Sequence, residues 1–472
     1  MLEKQIIHSF VSIVGEDNVD TSNMGRLTYS YDATPNFQAM PDAVIAPRNT
    51  NEVAEVLKVC NTHKIPVYVR GSGTNLCAGT CPLELEGGIV LIFRHMNNIL
   101  EIDEENLTIT VQAGVITLDI IKAVEEKGLF YPPDPSSMKI STIGGNINEN
   151  SGGLRGLKYG VTRDYVMGLE LVLPNGDIIR TGGKLAKDVA GYDLTRLFIG
   201  SEGTLGVVTE AILKLVPMPE TKKTMLALYE DINEAARAVS SIIANKIIPA
   251  TLEFLDQPTI EVVEEFAQIG LPTDVKAILL IEQDGPPEVV NRDIENMANV
   301  CRSMNAVDVR IAKDETEADA LRTARRSALS ALARLKPTTI LEDATVPRSQ
   351  IAPMVEAINA IAKKYNIPIC TFGHAGDGNL HPTCMTDARN AEEMHRAEQA
   401  FAEIFAKAIE LGGTITGEHG VGAMKAPYLE MKLGKEGIAA MQGIKQAFDP
   451  NNIMNPGKMF AKDTRKRVVV ER

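Results

Sequence analysis

The sequence predicts an α+β protein built in parts, and three observations carry the prediction. An apolar strand, a helix and a second apolar strand follow one another between Ala43 and Arg70. Four glycine-dense stretches then interrupt the chain between Arg70 and Gly206. Beyond Pro217-Met218-Pro219 the pattern changes to strand–helix–strand, twice in succession.

The elements follow in order. Ala43-Val44-Ile45-Ala46 and Val67-Tyr68-Val69-Arg70 read as strands around a helix over 50–64, whose start is marked by Asn49-Thr50-Asn51-Glu52. A second α+β stretch runs from about Ile89 to Val216, with strand signals at Ile89 to Phe93, Leu107 to Val111, Val166 to Leu173 and Leu205 to Leu215. Ser141 to Gly160 is too rich in glycine and asparagine for a packed element. After the proline boundary come strand Met225–Tyr229, helix Ile232–Ala244 and strand Ala250–Leu255, then strand Val275–Ile281, helix Glu288–Met304 and strand Ala306–Ile311. Two such halves predict a ferredoxin-like antiparallel sheet with helices on one face. Longer helices follow at about 314–335, 347–365 and 391–411, and Phe448-Asp449-Pro450-Asn451-Asn452 ends another. The tail from Lys462 to Arg472 alternates basic and β-branched residues and reads as a solvated, partner-contacting or disordered end. The expected domains are 1–218, with lobes of about 1–98 and 99–218, then 219–420, then a segment 421–472 that returns to the first domain.

Composition narrows the function. A net charge of −14 argues against nucleic acid, which needs a basic face. No run of about 18 apolar residues exists, so no membrane span is expected. Glu3, Lys4, Glu16 and Asp17 break any signal-peptide core. The scattered cysteines Cys60, Cys77, Cys81, Cys301, Cys370 and Cys384 read as reduced, buried thiols of a cytoplasmic protein.

Four side chains near the C-terminal end carry the chemistry. His374 and His381 lie in Gly373-His374-Ala375-Gly376-Asp377-Gly378-Asn379-Leu380-His381, and Glu418 and His419 in Gly417-Glu418-His419-Gly420. His374, His381 and Glu418 make a donor set for a divalent transition metal such as iron, zinc or manganese, with positions left for substrate. His419 remains as a base. On a strand, Glu418 and His419 would face opposite ways, so an irregular backbone is expected there.

Arg70-Gly71-Ser72-Gly73-Thr74-Asn75 follows a strand directly, and its small residues suit backbone approach to phosphate. It fails as a dinucleotide fingerprint, because Leu76 occupies the third glycine position. Pro132-Pro133-Asp134-Pro135-Ser136, Ser141 to Asn148, Ser151 to Gly160 and Gly200 to Gly206 add further small residues. Together they suit a large, extended anionic cofactor such as FAD lying against backbone.

In this order the segments resemble the FAD-binding domain of the vanillyl-alcohol oxidase and p-cresol methylhydroxylase superfamily. With the histidine segments added, residues 30 to 460 resemble the flavin-linked D-2-hydroxy acid dehydrogenases, a group that includes D-lactate dehydrogenases, the flavin subunit of glycolate oxidase and D-2-hydroxyglutarate dehydrogenase. The resemblance implies a two-lobed FAD-binding domain, a ferredoxin-like cap and a helical C-terminal segment. It implies that Arg70, Gly71, Ser72, Gly73, Thr74 and Asn75 hold the pyrophosphate. Pro133, Asp134, Gly144, Gly145, Asn148, Ser151, Gly152, Tyr159, Gly160, Glu202, Gly206, Val207 and Asn455 would line the rest of the cofactor. His374, His381 and Glu418 would bind metal, His419 would act as base, and Asn379 and Arg322 would meet substrate, with several cations in Leu321 to Arg326 to choose from. Relatives with covalent flavin carry a histidine in the first loop; this loop has none, so non-covalent FAD is expected.

The expected reaction is oxidation of a small D-2-hydroxy acid, best D-lactate to pyruvate, with glycolate or D-2-hydroxyglutarate as alternatives. The chain carries neither an Fe–S motif nor a nicotinamide fingerprint, so electrons are expected to leave to an electron-transferring flavoprotein, an Fe–S subunit or a quinone. A metal hydrolase would leave the glycine segments unexplained, and a flavin-only relay the metal constellation.

Overall fold

In a computed structural model, residues 1–83 and 87–460 are described, so the Lys462 to Arg472 tail lies outside them. The chain divides into two units. The first holds residues 1–151 and 161–218 and resumes at Glu418; the second holds 152–160 and 219–417.

The first unit contains a four-stranded sheet in the order Val19–Asp20, Ala43–Ile45, Ile89–Ile92, Val67–Arg70. Ala43 and Val67 both stand beside Ile89 in parallel register. Ile89–Ile92 therefore belongs to this first sheet rather than opening the second stretch. The helix Thr50–His63 begins where the Asn49 side chain accepts from Glu52 N at 3.0 Å, a cap that stabilises by about 1 kcal/mol. Val53, Val56, Leu57 and Cys60 on this helix pack with Val67, Ile89, Leu91 and Phe10. Ile453 and Met454 join the same core. Val67 N donates to Ile453 O at 2.7 Å and Asn455 N to Val67 O at 2.8 Å, so the C-terminal segment is an added edge of this lobe.

A five-stranded antiparallel sheet makes the second lobe, in the order Ile99–Asp103, Thr108–Gln112, Val207–Lys214, Val166–Val172, Ile178–Gly182. The stretch expected to be unpacked contains the helix Ile143–Glu149, with Ile143, Asn146 and Ile147 buried. Thr142 caps it through Gly145 N, and Gly144 lies so close to Ala113 that a Cβ there would stand 2.8 Å from the alanine methyl. Low helix propensity is overridden by packing that needs the small residues.

The second unit is built on an antiparallel sheet ordered Asp308–Ile311, Thr221–Tyr229, Ala277–Gly285, Thr251–Asp256, Ile369–His374, Asn379–Thr386, Thr338–Leu341, with Ala344–Thr345 also paired to Asn379–Thr386. Its first four strands keep the ferredoxin-like order. Every residue of Thr251–Asp256, Ile369–His374 and Asn379–Thr386 is buried. Both faces of these three strands are thus buried. The helices Gln257–Ala267 and Glu315–Leu332 share one apolar cluster with Leu226, Leu228, Leu255, Leu280 and Phe372.

Candidate functional site

In the second unit, Phe372 stands opposite His381 and His374 opposite Asn379 on one antiparallel hairpin. Residues opposite one another, and residues two apart on one strand, share a face. Phe372, His374, Asn379 and His381 therefore project together. On a single strand a separation of seven would put the two histidines on opposite faces, yet across a hairpin it makes them diagonal neighbours. The two imidazole rings lie 5.1 Å apart at 89° and are 4% and 3% exposed. The turn closes only with glycine, since a Cβ on Gly378, at φ 85°, would stand 2.0 Å from Val346 O.

Two residues absent from the expected set complete this face. The neighbouring strand pairs Phe254 with Gly373, so Glu253 falls opposite His374. Glu253 Oε1 lies 2.7 Å from His374 Nδ1, and Glu253 Oε2 accepts from Arg325 Nε at 2.5 Å. Burial opposes the charge of Glu253, but the His374 imidazole and the Arg325 guanidinium outweigh it and hold the carboxyl below its usual range. The Arg325 guanidinium sits 4.8 Å from the Phe372 ring centroid.

Arg322, the expected substrate cation, is instead committed to Glu282 at 3.1 Å, Glu315 at 2.5 Å and Asp319 at 3.4 Å. The guanidinium beside the histidines is that of Arg325. The sequence held a signal for it: Leu321, Arg325, Ala328 and Leu332 repeat at helical spacing, so Arg325 interrupts an apolar stripe. Glu253 likewise interrupts the apolar run Leu252 to Leu255.

Asn379 is buried and its Oδ1 accepts from Thr345 Oγ1 at 3.1 Å. Gly417, at the end of this unit, donates its N–H to Asp343 Oδ2 at 2.6 Å. Glu418 and His419 follow it along the chain, both half-buried, in an irregular segment with Gly420 at φ 84° and Gly422 at φ 53°. Gly152, Tyr159 and Gly160 also belong to the second unit, where the Tyr159 hydroxyl donates to Asp284 Oδ2 at 2.9 Å.

In the first unit the expected cofactor residues are stitched together. The loop Gly71 to Asn75 curls over Arg70, whose Nη2 lies 2.2 Å from where a Cβ on Gly73 would stand. Arg70 Nη1 is held by Tyr31 O and Thr80 Oγ1. Ser72 Oγ is spent on Ile140 O at 2.5 Å, and Asn75 Oδ1 accepts from Gly79 N at 2.8 Å. Pro133 and Asp134 lie in a buried extended segment, and Gly144 and Gly145 open the helix Ile143–Glu149. Asn148 accepts from Glu202 N on its carbonyl at 2.8 Å and from Gly203 N on Oδ1 at 3.1 Å. Ser151 O accepts from Thr162. Asn455 Nδ2 donates to Gly79 O at 2.9 Å and Glu202 O at 2.6 Å. Gly206 abuts Val172 O, and the Val207 side chain is in the core, so Val207 offers a cofactor only backbone.

Glu202 also has a part in holding the C-terminal segment. Its carboxylate accepts from Val421 N at 2.7 Å and Gly422 N at 2.6 Å, bracing the segment that carries His419. Cys77 and Glu149 adjoin it, the ligand-type atoms of all three lying within 4.8 Å of one another. Burial raises the carboxyl of Glu149 well above its usual range, and Glu202 and Asp32 add to the rise. The buried ammonium groups of Lys425 and Lys458 act on the same cluster, and supply the positive charge a cation would otherwise bring.

These surroundings fit a divalent metal and FAD. Two buried imidazoles on one face, one of them held at Nδ1 by a carboxylate, suit a divalent transition metal. Among the described residues, Arg70 Nε and Asn455 Oδ1 are buried without a hydrogen-bond partner, a donor and an acceptor beside small-residue loops. That suits an extended polar cofactor.

The fold and these two donor sets define a flavin-binding oxidoreductase. Residues 41–182 match the FAD binding domain family, and residues 218–459 match the family described as FAD linked oxidases, C-terminal domain. The chain belongs to the FAD-linked oxidases. It is 75% identical over 472 residues, all of both chains, to the glycolate oxidase subunit GlcD of Bacillus subtilis (strain 168). It is 37% identical to the D-lactate dehydrogenase of Anaerostipes hadrus, over 90% of each chain. Among solved structures, p-cresol methylhydroxylase with substrate bound matches with TM-score 0.81 at 20% identity, over 96% of each chain, which establishes the fold. The family match removes the metal-hydrolase alternative. Among the described residues no helix is long and apolar enough to cross a membrane.

Proposed function

We propose that the chain oxidises a small 2-hydroxy acid to the 2-keto acid, with glycolate first among candidates and D-lactate second. The observation that carries this reading is the buried face on which His374, His381 and Asn379 stand beside the guanidinium of Arg325. A metal-binding pair next to a fixed cation suits a substrate with a carboxylate and an adjacent hydroxyl. The name of the relative at 75% identity favours glycolate over the D-lactate that resemblance alone put first.

Bound FAD supplies the acceptor for the C2 hydrogen as hydride, and a bound divalent cation makes the hydroxyl more acidic. His374 and His381 offer imidazole lone pairs to that cation, and Glu418, the residue after Gly417, offers the third donor and a negative charge. Arg325 pairs with the substrate carboxylate and Asn379 orients it. His419 accepts the hydroxyl proton, as a neutral imidazole can near pH 7. Loss of that proton and of the C2 hydrogen with its electron pair leaves a carbonyl. Arg70 and the loop Gly71 to Asn75 hold the cofactor's diphosphate. Asp134, Gly144, Gly145, Asn148 and Asn455 give it a rigid wall. The electrons pass to a second protein, an electron-transferring flavoprotein or an Fe–S subunit; that a close relative is named a subunit supports this. Six buried, scattered cysteines support a reducing compartment, the cytoplasm.

Anaerobic mixing of the flavin-loaded protein with glycolate, D-lactate and L-lactate tests the reading. Bleaching by glycolate or D-lactate supports it, and a flavin inert to all three refutes it.

A further inference from the structure

We propose that Glu253 is a positioning residue that sets the metal-binding nitrogen of His374 and the orientation of Arg325 together. The inference rests on the metal reading above and deepens it. Glu253 is fully buried in the middle of the strand Thr251–Asp256. Its two oxygens are divided between two partners, Oε1 at 2.7 Å from His374 Nδ1 and Oε2 at 2.5 Å from Arg325 Nε.

An ionised carboxylate only accepts hydrogen bonds, so the hydrogen between Oε1 and Nδ1 belongs to the imidazole. His374 is therefore held with Nδ1 protonated, and strand register sets its backbone opposite that of Glu253. In the neutral ring Nε2 is then the nitrogen that would offer its lone pair to a metal, the arrangement in which an outer carboxylate raises the donor strength of a ligating histidine. The same carboxylate engages the Nε edge of Arg325, leaving the terminal nitrogens as the part of the fork suited to a substrate carboxylate. Phe372 supports this geometry from below: Arg325 lies 4.8 Å over its ring, and the ring lies 5.6 Å from that of His381. One buried anion thus links the substrate cation to the first metal ligand.

A purely structural ion pair predicts a different result, and the test separates the two. Zn²⁺ affinity is measured by chelator competition on flavin-loaded wild type and Glu253→Gln, and the His374 tautomer is read in metal-free protein from long-range proton–nitrogen NMR correlations. The expected outcome is an Nδ1-protonated His374 in wild type, a mixed tautomer in Glu253→Gln, and Zn²⁺ binding weakened about 10–100-fold with FAD content unchanged. Should Glu253→Gln fold poorly, Glu253→Gln with Arg325→Met removes both charges, and the same weakening is expected. Unchanged Zn²⁺ affinity with only a lower melting temperature overturns the inference. A wild type that binds no Zn²⁺ yet shows the expected tautomers overturns the metal reading instead. An Nε2-protonated His374 in wild type overturns the positioning role itself.

Discussion

Glu253 Oε1 stands 2.7 Å from His374 Nδ1, and strand register sets the two residues opposite each other in a fully buried part of the sheet. The pair explains why the hairpin histidines are more than polar strand residues: a buried carboxylate has to be offset, and here an imidazole and a guanidinium do so.

On the reading proposed above, Arg325 rather than Arg322 pairs with the substrate carboxylate. Arg325→Lys keeps the charge and loses the planar fork, so KM for the hydroxy acid should rise by roughly 10–100-fold, in line with about 1.5–3 kcal/mol for a charged hydrogen bond. Arg322→Met should stay within a few-fold of wild type, because three carboxylates already occupy that side chain. Steady-state kinetics on the two variants decides it. The assignment fails if Arg322→Met is the one that raises KM.

On the reading proposed above, His419 acts as the base and Glu418 as a metal ligand. His419→Gln should keep metal and FAD while flavin reduction slows by roughly 10²–10⁴-fold. Glu418→Gln should lose metal first. Metal analysis beside stopped-flow reduction reads both, and a metal-free His419→Gln with a metal-replete Glu418→Gln would exchange the roles.

Non-covalent FAD is the expected outcome. The residues stitched around the loop Gly71 to Asn75 include no histidine, and Cys77 is buried with its thiol pushed well above its usual range by burial and by the carboxyls of Glu149, Glu202 and Asp32, which keeps it a poor nucleophile. Acid precipitation should leave a yellow supernatant and a colourless pellet. A yellow pellet contradicts this.

Asp256 gives the stability a defined pH dependence. Burial pushes its carboxyl up to about 6, against hydrogen bonds from Thr259 and Thr371 that pull it down. The folded value lies above the unfolded one of roughly 3.9, so the fold holds this proton more tightly. The resulting stability is fully present below about pH 4 and is lost as pH rises through about 6, by roughly 3 kcal/mol in all. Asp256→Asn removes the titration, although its amide would meet the Thr371 N–H and lower stability throughout. Denaturant melts should show the gap between the two proteins narrowing from pH 4 to pH 6; a constant gap shows that Asp256 does not titrate there.

The parts of the fold visible in the sequence are those whose pattern is local. The strands Ala43–Ile45 and Val67–Arg70 and the helix between them announce themselves by apolar periodicity and an asparagine cap. The helix Ile143–Glu149 does not, because its glycines are chosen for close packing against Ala113 rather than for helix propensity. His374 and His381 are legible as residue types, but their convergence depends on hairpin register. Glu253 and Arg325 come from elements far apart in sequence, and only their intrusion into apolar stripes marks them. The Glu202 carboxylate also accepts from the Val421 and Gly422 N–H groups, a contact across more than two hundred residues that no local pattern announces.

The central claim is that this FAD-linked oxidase takes a small 2-hydroxy acid at the face formed by His374, His381 and Arg325. The most direct measurement is anaerobic stopped-flow reduction of the bound flavin, by glycolate and by D-lactate, in wild type and His381→Ala. Rapid bleaching in wild type by at least one of the two acids, and its loss in a His381→Ala protein that retains FAD but not metal, is the predicted result. Equal bleaching in both proteins, or none in wild type with either acid, would contradict the account.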